Sequence, residues 1–442
     1  MKVLWICNLP FPEAAEQLHI EASNKEGWIS GMMHALFAGG ATGELELNVA
    51  FPCPAECLDD TGICTGSVRI EGAEVTYYGF YEDTRHPEKY DPGLNDSLEK
   101  IFAMANADVV HCFGTEYPHA MAASMMVPNR ERFLIGIQGL CTPIAKAYYA
   151  DLPQKVIEAR TFRDVVRKDH IKLQAEKFFR RGIYEEVALG MAHNITGRTP
   201  WDREYVLGLN PDADYYLLNE NLRECFYHHQ WSEKEAIPHR IFLSQGDYPL
   251  KGLHYMLTAM PGVLEKYPDA TLVVAGNSLV SYKTWKDKLK ISGYGKYLRS
   301  LIKKYHLQDK VTFTGKLPAL EMVKNCLQSH VFVCCSTMEN SSNSVGEAML
   351  LGMPCVCADV GGLSGVISEN EGILYEGHCP GKENLEGVSA NLKDAILAMW
   401  EADSEAYGKR ARERALKTHD REKNCKRLLE IYRDLCEKRG AV

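Results

Sequence analysis

The stretch from Ser336 to Gly362, STMENSSNSVGEAMLLGMPCVCADVGG, holds the residue types and spacing that most readily suggest chemistry. Ser341, Ser342 and Asn343 are helix-starting residues, and Val345 to Leu351 reads as a short buried helix behind them. The backbone N–H groups of Ser344, Val345 and Gly346 would then stand at a helix N-terminus, where unpaired amides and the helix dipole favour a phosphate. Gly346 lets a large anion approach the backbone closely. Glu339 precedes that helix and Glu347 lies on its first turn, eight positions on. One carboxylate can then hold hydroxyls on one side of a bound diphosphate, and the other carboxylate hydroxyls on the far side. Two glutamates at this spacing are by themselves an ordinary coincidence of charged residues. The serines, the glycines and the G-x-P and G-G elements around them set this pair apart.

A second group of candidates lies in VVHCFGTEYPHAMA, which places Gly114, Thr115, Glu116 and His119 just past a strand-like run. Polar residues gathered at such a turn suit a substrate-side or catalytic-support role. His111, inside the run, reads as a core histidine with a satisfied hydrogen bond. Cys53, Cys57 and Cys64 have the spacing C-x3-C-x6-C, three thiols with no histidine nearby to complete a tetrahedral set, so no metal is expected. The other cysteines, among them Cys7, Cys112, Cys334, Cys335, Cys355 and Cys357, sit in apolar runs where a reduced thiol behaves as a small hydrophobe.

The elements that must carry these residues alternate. VLWIC, ELNVAF, AEVTYYGF, ADVVHCF and FLIGIQG read as buried strands in the first half, with helical stretches such as Gly27 to Phe37 and Asn95 to Ala107 between them. The pattern restarts with RIFLSQG, ATLVVAG, KVTFTG, SHVFVCC and PCVCADVGG. Two such series predict two parallel α/β sheets, with ligands at the carboxyl ends of the strands. The boundaries expected are an N-terminal domain over 1–210, an aperiodic linker over 211–239, a C-terminal domain over 240–410 and a charged helical tail over 411–442 that packs back across a domain junction or finishes the second domain.

Length and composition agree with this reading. A chain of 442 residues with 45% apolar and 25% charged residues is long enough for two domains with real cores. A net charge of −9 and a pI near 6.0 argue against a nucleic-acid partner. The apolar start MKVLWICNLPFP is broken by Pro10 too early for a signal peptide, and no run is long enough to span a bilayer, so a cytoplasmic location is expected. One segment runs against the overall charge. Lys155 to Arg181 carries nine basic residues against four acidic ones, interleaved with Phe162, Val165, Val166, Phe178 and Phe179. It reads either as a solvated helix face or as a docking face for an anionic membrane at the inner surface of the cell.

ENSSNSVGEAMLLGMPCVCADVGG resembles the E-x7-E signature of glycosyltransferase family 4. The resemblance extends upstream through KVTFTGKLPALEMVKNCLQSHVFV and FLSQGDYPLKGLHYMLTAM. It covers Ile241 to Gly372 well, whereas in the N-terminal half only strand order and blocks such as EGWISGMMHAL are similar to the family. The resemblance implies a GT-B fold, two Rossmann-like domains facing each other across a cleft. It also implies a retaining transfer of a sugar from a nucleotide-diphosphate-sugar, UDP-sugar favoured over GDP-sugar, to a sugar or lipid-linked sugar acceptor in polysaccharide or glycoconjugate synthesis. No cofactor or essential metal is implied, because positive charge and helix amides stabilise the departing diphosphate. Lys251 matches the family's diphosphate lysine, Glu347 the ribose-binding glutamate and Glu339 the glutamate that touches the transferred sugar. Ser344, Val345 and Gly346 match the phosphate-binding helix start, and Glu26-Gly27-Trp28-Ile29-Ser30-Gly31 matches a glycine loop near the donor phosphates, though an ordinary turn and helix start has the same look.

Three departures stand out. Ser244-Gln245-Gly246 replaces the expected Gly-Arg-Leu, so a neutral Gln245 stands where an arginine would contact phosphate. Arg198, beside the capping residues Thr199, Pro200 and Asp202, is the candidate to replace it, with a loop-packing ion pair as its alternative role. Gln138 stands where the family tends to carry a histidine, and Ser364-Gly365 where a glutamate usually follows the G-G pair. His119 and Gln138 are the catalytic-support candidates of the N-terminal half. These departures leave two rivals: a non-catalytic nucleotide-sugar-binding partner protein, and an epimerase or phosphorylase on the same fold.

Overall fold

A computed structural model describes residues 1–21, 27–278, 280 and 289–438. Two parallel sheets organise the chain. The first contains β1 (Lys2–Ile6), β2 (Glu46–Cys53), β3 (Ile63–Ile70), β4 (Ala73–Tyr81), β5 (Val109–Phe113), β6 (Phe133–Gly136), β7 (Asn194–Gly197) and β8 (Asp214–Leu217) in the order β3-β4-β2-β1-β5-β6-β7-β8. Only β3 runs antiparallel, against β4. The second contains β9 (Ile237–Leu243), β10 (Thr271–Ala275), β11 (Val311–Gly315), β12 (Ser329–Cys334), β13 (Cys355–Asp359) and β14 (Ile373–Glu376) in the order β11-β10-β9-β12-β13-β14, all parallel.

That second order is the doubly wound pattern, which reverses direction between β9 and β12 and opens a crevice at their carboxyl ends. The first sheet reverses between β1 and β5 in the same way. The central strands are covered on both faces, which is why VLWI, VVHCF, RIFL and SHVFVC are continuous apolar runs rather than alternating ones.

The chain divides into two compact units, but not where the sequence suggested. One unit comprises Met1–Thr142, Lys177–Leu222 and His419–Val442, and the other Pro143–Glu176 and Arg223–Thr418. Three boundaries shift for physical reasons. Asp214–Leu217, assigned to the linker, is the edge strand β8, a short strand with no fully buried side chain, and pairs with β7. Pro143–Glu176 packs with the second unit, where Asp164 caps the helix Gly293–Lys304 through the Gly293 N–H at 2.8 Å and His254 Nε2 lies 2.7 Å from the Ala150 carbonyl oxygen. The charged tail splits: Ser404–Thr418 stays with the second unit and Arg421–Glu437 joins the first.

The terminal helix brings a wholly buried Tyr432 against β1 and β5, where its hydroxyl accepts from Trp5 Nε1 at 2.8 Å and lies 2.8 Å from His111 Nδ1. Burial pushes the His111 pKa down to about 3, so this is a neutral core histidine, although its Nε2 is buried with no hydrogen-bond partner among the described residues. All fifteen cysteines are free thiols, most of them buried. Among the described residues no helix is long and apolar enough to cross a membrane, and no group of histidine, cysteine or carboxylate side chains is placed to hold a metal ion.

Candidate donor site and the polar cluster of the first sheet

In the second unit the chemistry gathers at the β9/β12 reversal. After β9 the chain passes Ser244-Gln245-Gly246, turns through the 3-10 segment Pro249–Lys251 and enters the helix Leu253–Lys266 at Gly252. Gly252 has φ +69°, and a Cβ there would overlap the Cys335 carbonyl oxygen, so only glycine lets the two loops touch. The contact is locked by Thr337 N–H donating to the Leu250 carbonyl at 2.8 Å and by the Cys335 thiol on the Lys251 and Gly252 carbonyls at 3.4 and 3.3 Å. This stitching carries Lys251 to the loop after β12, where its Nζ pairs with Glu339 Oε1. The same oxygen accepts from Ser336 Oγ at 2.7 Å. Glu339 is held from behind by the G-G pair after β13, because Gly362 N–H donates to its carbonyl at 2.9 Å and Gly361 (φ +56°) leaves no room for a Cβ beside that carbonyl. Burial would weaken the Lys251 ammonium, but the Glu339 carboxylate outweighs it and holds the amine above its ordinary pKa.

The helix Asn343–Leu350 follows, with Ser342 at its N-cap. The Val345 and Gly346 amides both donate to the Ser342 carbonyl at 3.1 Å. The amides of this helix start that have no intrahelical acceptor are therefore those of Asn343 and Ser344, so of the three expected amides only that of Ser344 is open. Glu347 is 6% exposed and takes a two-point grip from Arg223, Nε on Oε1 at 2.6 Å and Nη2 on Oε2 at 2.7 Å. Burial pushes the Glu347 pKa up, and the Arg223 guanidinium pulls against that. Gln245 is half-buried in the loop after β9.

In the first unit Arg198 is not a free cation. Its Nη2 donates to the Ile137 and Gln138 carbonyls at 3.1 Å and to Gln138 Oε1 at 3.3 Å, and its Nη1 pairs with the buried Glu220 at 2.8 Å. These contacts give Arg198 the loop-packing ion pair that was its alternative role. Thr199 and Asp202 form the expected capping box with Pro200 in the first turn. His119 is wholly buried, its Nδ1 2.7 Å from Glu82 Oε2 while Glu82 Oε1 accepts from the His119 N–H at 3.0 Å. Gly27 begins the helix Gly27–Ala38, and Glu26 lies outside the described residues.

At the β1/β5 reversal a polar cluster gathers. Glu116 Oε1 accepts from Gly139 N–H at 2.9 Å. Glu185, fully buried, accepts from Thr115 Oγ1 at 2.6 Å and Cys141 N–H at 2.7 Å. Burial pushes the Glu185 pKa up to about 8. Asn8 Oδ1 and Glu116 Oε2 are buried with no hydrogen-bond partner among the described residues. The sequence pointed to Glu116, Thr115, His119 and Gln138. It gave no sign of Asn8, nor of Glu82, Glu185 and Arg223, whose partners His119, Thr115 and Glu347 lie far from them along the chain.

Residues 229–414 match the family model described as Glycosyl transferases group 1. A glycosyl transferases group 1 domain is present in this chain. The domain spans both Glu339 and Glu347, the Ser336 loop and Lys251. A Bacillus subtilis protein named as a glycosyltransferase, YtcC, is 32% identical over 132 residues, 29% of this chain and 30% of that one. The chain spans less than half the length of the curated relatives it matches. Two solved structures are similar along almost the whole length. Sucrose-phosphate synthase from Thermosynechococcus elongatus has a TM-score of 0.65 at 16% identity, covering 98% of this chain and 99% of its own. Anabaena HepE, solved with UDP and glucose, has a TM-score of 0.60 at 13% identity over 98% and 99%. At such identities the likeness concerns the fold, which is the α/β GT-B class with two Rossmann-like domains expected from the sequence.

Proposed function

We propose that this chain is a retaining, metal-independent glycosyltransferase that takes a sugar from a nucleotide-diphosphate-sugar bound by its group 1 domain. The observation that carries the reading is the placement of Lys251, Ser336 and Glu339 at the β9/β12 reversal, with the open helix start and the buried Glu347 next in sequence. A cation and two unpaired amides in one crevice can neutralise a diphosphate that leaves with the electrons of the broken C1–O bond. Glu347 has the acceptor-only chemistry that a ribose diol needs, and Glu339 can accept from hydroxyls of the transferred sugar. Retention is supported by the E-x7-E resemblance. UDP is favoured because a protein of the same fold, HepE, was solved with UDP.

The acceptor is a sugar, free or lipid-linked, and the buried unpaired oxygens of Asn8 and Glu116 suit its hydroxyls. The segment 155–181 supports a cytoplasmic protein that touches the inner membrane surface. Its short helix Phe162–Arg167 turns Phe162, Val165 and Val166 outward at 69%, 59% and 64% exposure, flanked by exposed Arg160, Arg167 and Lys168.

Thermal melting with UDP, GDP, ADP and buffer tests the donor reading. A nucleotide at about 100 times its dissociation constant adds roughly 2.7 kcal/mol to the state that binds it. One nucleotide should raise the melting temperature of the wild type, and Glu347→Ala should abolish that rise. No rise with any of the three would refute the proposal.

A further inference from the structure

Arg223 enters from the residue before the 3-10 turn Glu224–Phe226 and lies over the Phe226 ring, 4.9 Å from its centroid, with Phe226 itself fully buried. The guanidinium is thus fixed by packing before it meets Glu347. Its fork then uses one lone pair on each carboxylate oxygen, at 2.6 and 2.7 Å. Each oxygen retains a second lone pair for a hydroxyl donor.

Resting on the reading that Glu347 binds the ribose, we propose that Arg223 is a positioning residue for the nucleotide, aiming both oxygens of Glu347 and keeping that carboxylate an anion when the ribose diol arrives. The pair is complementary to a diol rather than a block against it, because the fork and the diol approach different lone pairs. The surroundings of Glu347 supply little other charge. The turn Glu224–Phe226 contributes the Cys225 thiol, the helix Ala319–Leu327 the Cys326 thiol and β13 the Cys355 thiol, and burial pushes all three above the ordinary thiol pKa, so they stay neutral. Glu224 is on the same turn, with an exposed side chain. On the helix Ser404–Thr418, Arg412 donates to the Leu350 carbonyl at the far end of the Glu347 helix. Burial raises the Glu347 pKa even with Arg223 in place, so loss of the guanidinium raises it further and favours the neutral acid. Ionisation then returns as the pH rises.

The test is isothermal titration of UDP and 2′-deoxy-UDP (or the matching pair for GDP or ADP, if that is what wild type binds) at pH 7, 8 and 9. The proteins are wild type, Arg223→Met, Arg223→Gln and Arg223→Lys. Wild type should prefer the ribonucleotide at every pH. Arg223→Met should bind it about tenfold more weakly at pH 7, as expected when a charge-assisted hydrogen bond becomes a neutral one. Its preference for the ribonucleotide should be weaker at pH 7 than in wild type and should grow as the pH rises to 9. Arg223→Gln keeps an uncharged donor and should behave in the same way, and it carries the test if the methionine variant does not fold. Arg223→Lys should restore a flat profile. A loss of affinity in the methionine and glutamine variants that is the same at all three pH values, or an undiminished ribose preference at pH 7, overturns the role given to Arg223 while leaving the donor site standing. Failure of wild type to bind UDP, GDP or ADP overturns both.

Discussion

Replacing Lys251 by methionine tests the donor site at its most exposed assumption, that this amine belongs to the diphosphate rather than to Glu339. In the structure Lys251 Nζ rests on Glu339 Oε1, a partly shielded pair with side-chain exposures of 22% and 14%. The Glu339 carboxylate keeps Lys251 above its ordinary pKa, so the amine is an ammonium throughout the physiological range. A phosphate oxygen competing for that ammonium gains a charge-assisted hydrogen bond, worth about 1.5–3 kcal/mol. At 1.4 kcal/mol per factor of ten, Lys251→Met should weaken UDP binding by about 10- to 150-fold. Turnover should fall further, because charge on the leaving oxygen grows as the C1–O bond breaks, and losing one such contact costs roughly 100- to 1000-fold. Titration calorimetry with UDP and UMP separates this from a general weakening. The variant should lose most of the preference of wild type for the diphosphate and bind UMP nearly as well as before. The double variant Lys251→Met, Glu339→Gln relieves the unpaired carboxylate, so it should regain stability without regaining UDP affinity. UDP affinity within threefold of wild type in the single variant would refute the reasoning.

Two other perturbations reach different parts of the molecule. Glu185 has a folded-state pKa of about 8, raised from 4.5 by burial, so the folded chain holds its proton more tightly than the unfolded one. Its contribution to stability is therefore fully present below pH 4.5 and is lost as pH rises through 8. At about 1.4 kcal/mol per pH unit, Glu185→Gln should gain up to about 3 kcal/mol relative to wild type between pH 5.5 and 8. Urea unfolding at both pH values checks this, and a difference that does not change with pH would refute it. Changing Phe162, Val165 and Val166 to serine should reduce co-sedimentation with anionic vesicles at least fivefold while leaving the melting temperature unchanged, since these side chains are mostly solvated already. Equal sedimentation would argue for a merely solvated face.

The parts of the fold that were legible in the sequence are those that burial writes into consecutive residues. Strands such as β5 and β12 are covered on both faces and appear as VVHCF and SHVFVC. Among the strands that escaped are edges: β3, whose residues alternate between buried and exposed, β8, which is half-exposed throughout, and β14, with one buried residue in four. The loops after β9, β12 and β13 were legible because glycines and serines at fixed spacing reflect backbone constraints, as Gly252 and Gly361 do here. What could not be read was pairing across sequence distance. Arg223 meets Glu347 from 124 positions away and Glu185 meets Thr115 from 70, and neither partner changes the local pattern of the other.

Arg198 turns that contrast into a prediction. The sequence offered it as the cation that replaces the missing arginine, while the structure gives its guanidinium to two carbonyls, to Gln138 Oε1 and to Glu220. Its side chain and that of Glu220 are 6% and 7% exposed, so the pair is buried. Breaking a buried pair by removing one partner costs about 3–5 kcal/mol, because a charge is stranded out of water. Arg198→Met should accordingly lower stability by that order in urea unfolding. The double variant Arg198→Met, Glu220→Met should recover most of it, since no lone charge remains. UDP affinity of the folded single variant should stay within threefold of wild type, because the phosphate side is left to Lys251 and the amides of Asn343 and Ser344. A tenfold loss of UDP affinity at unchanged stability would reverse the assignment and return Arg198 to the donor site.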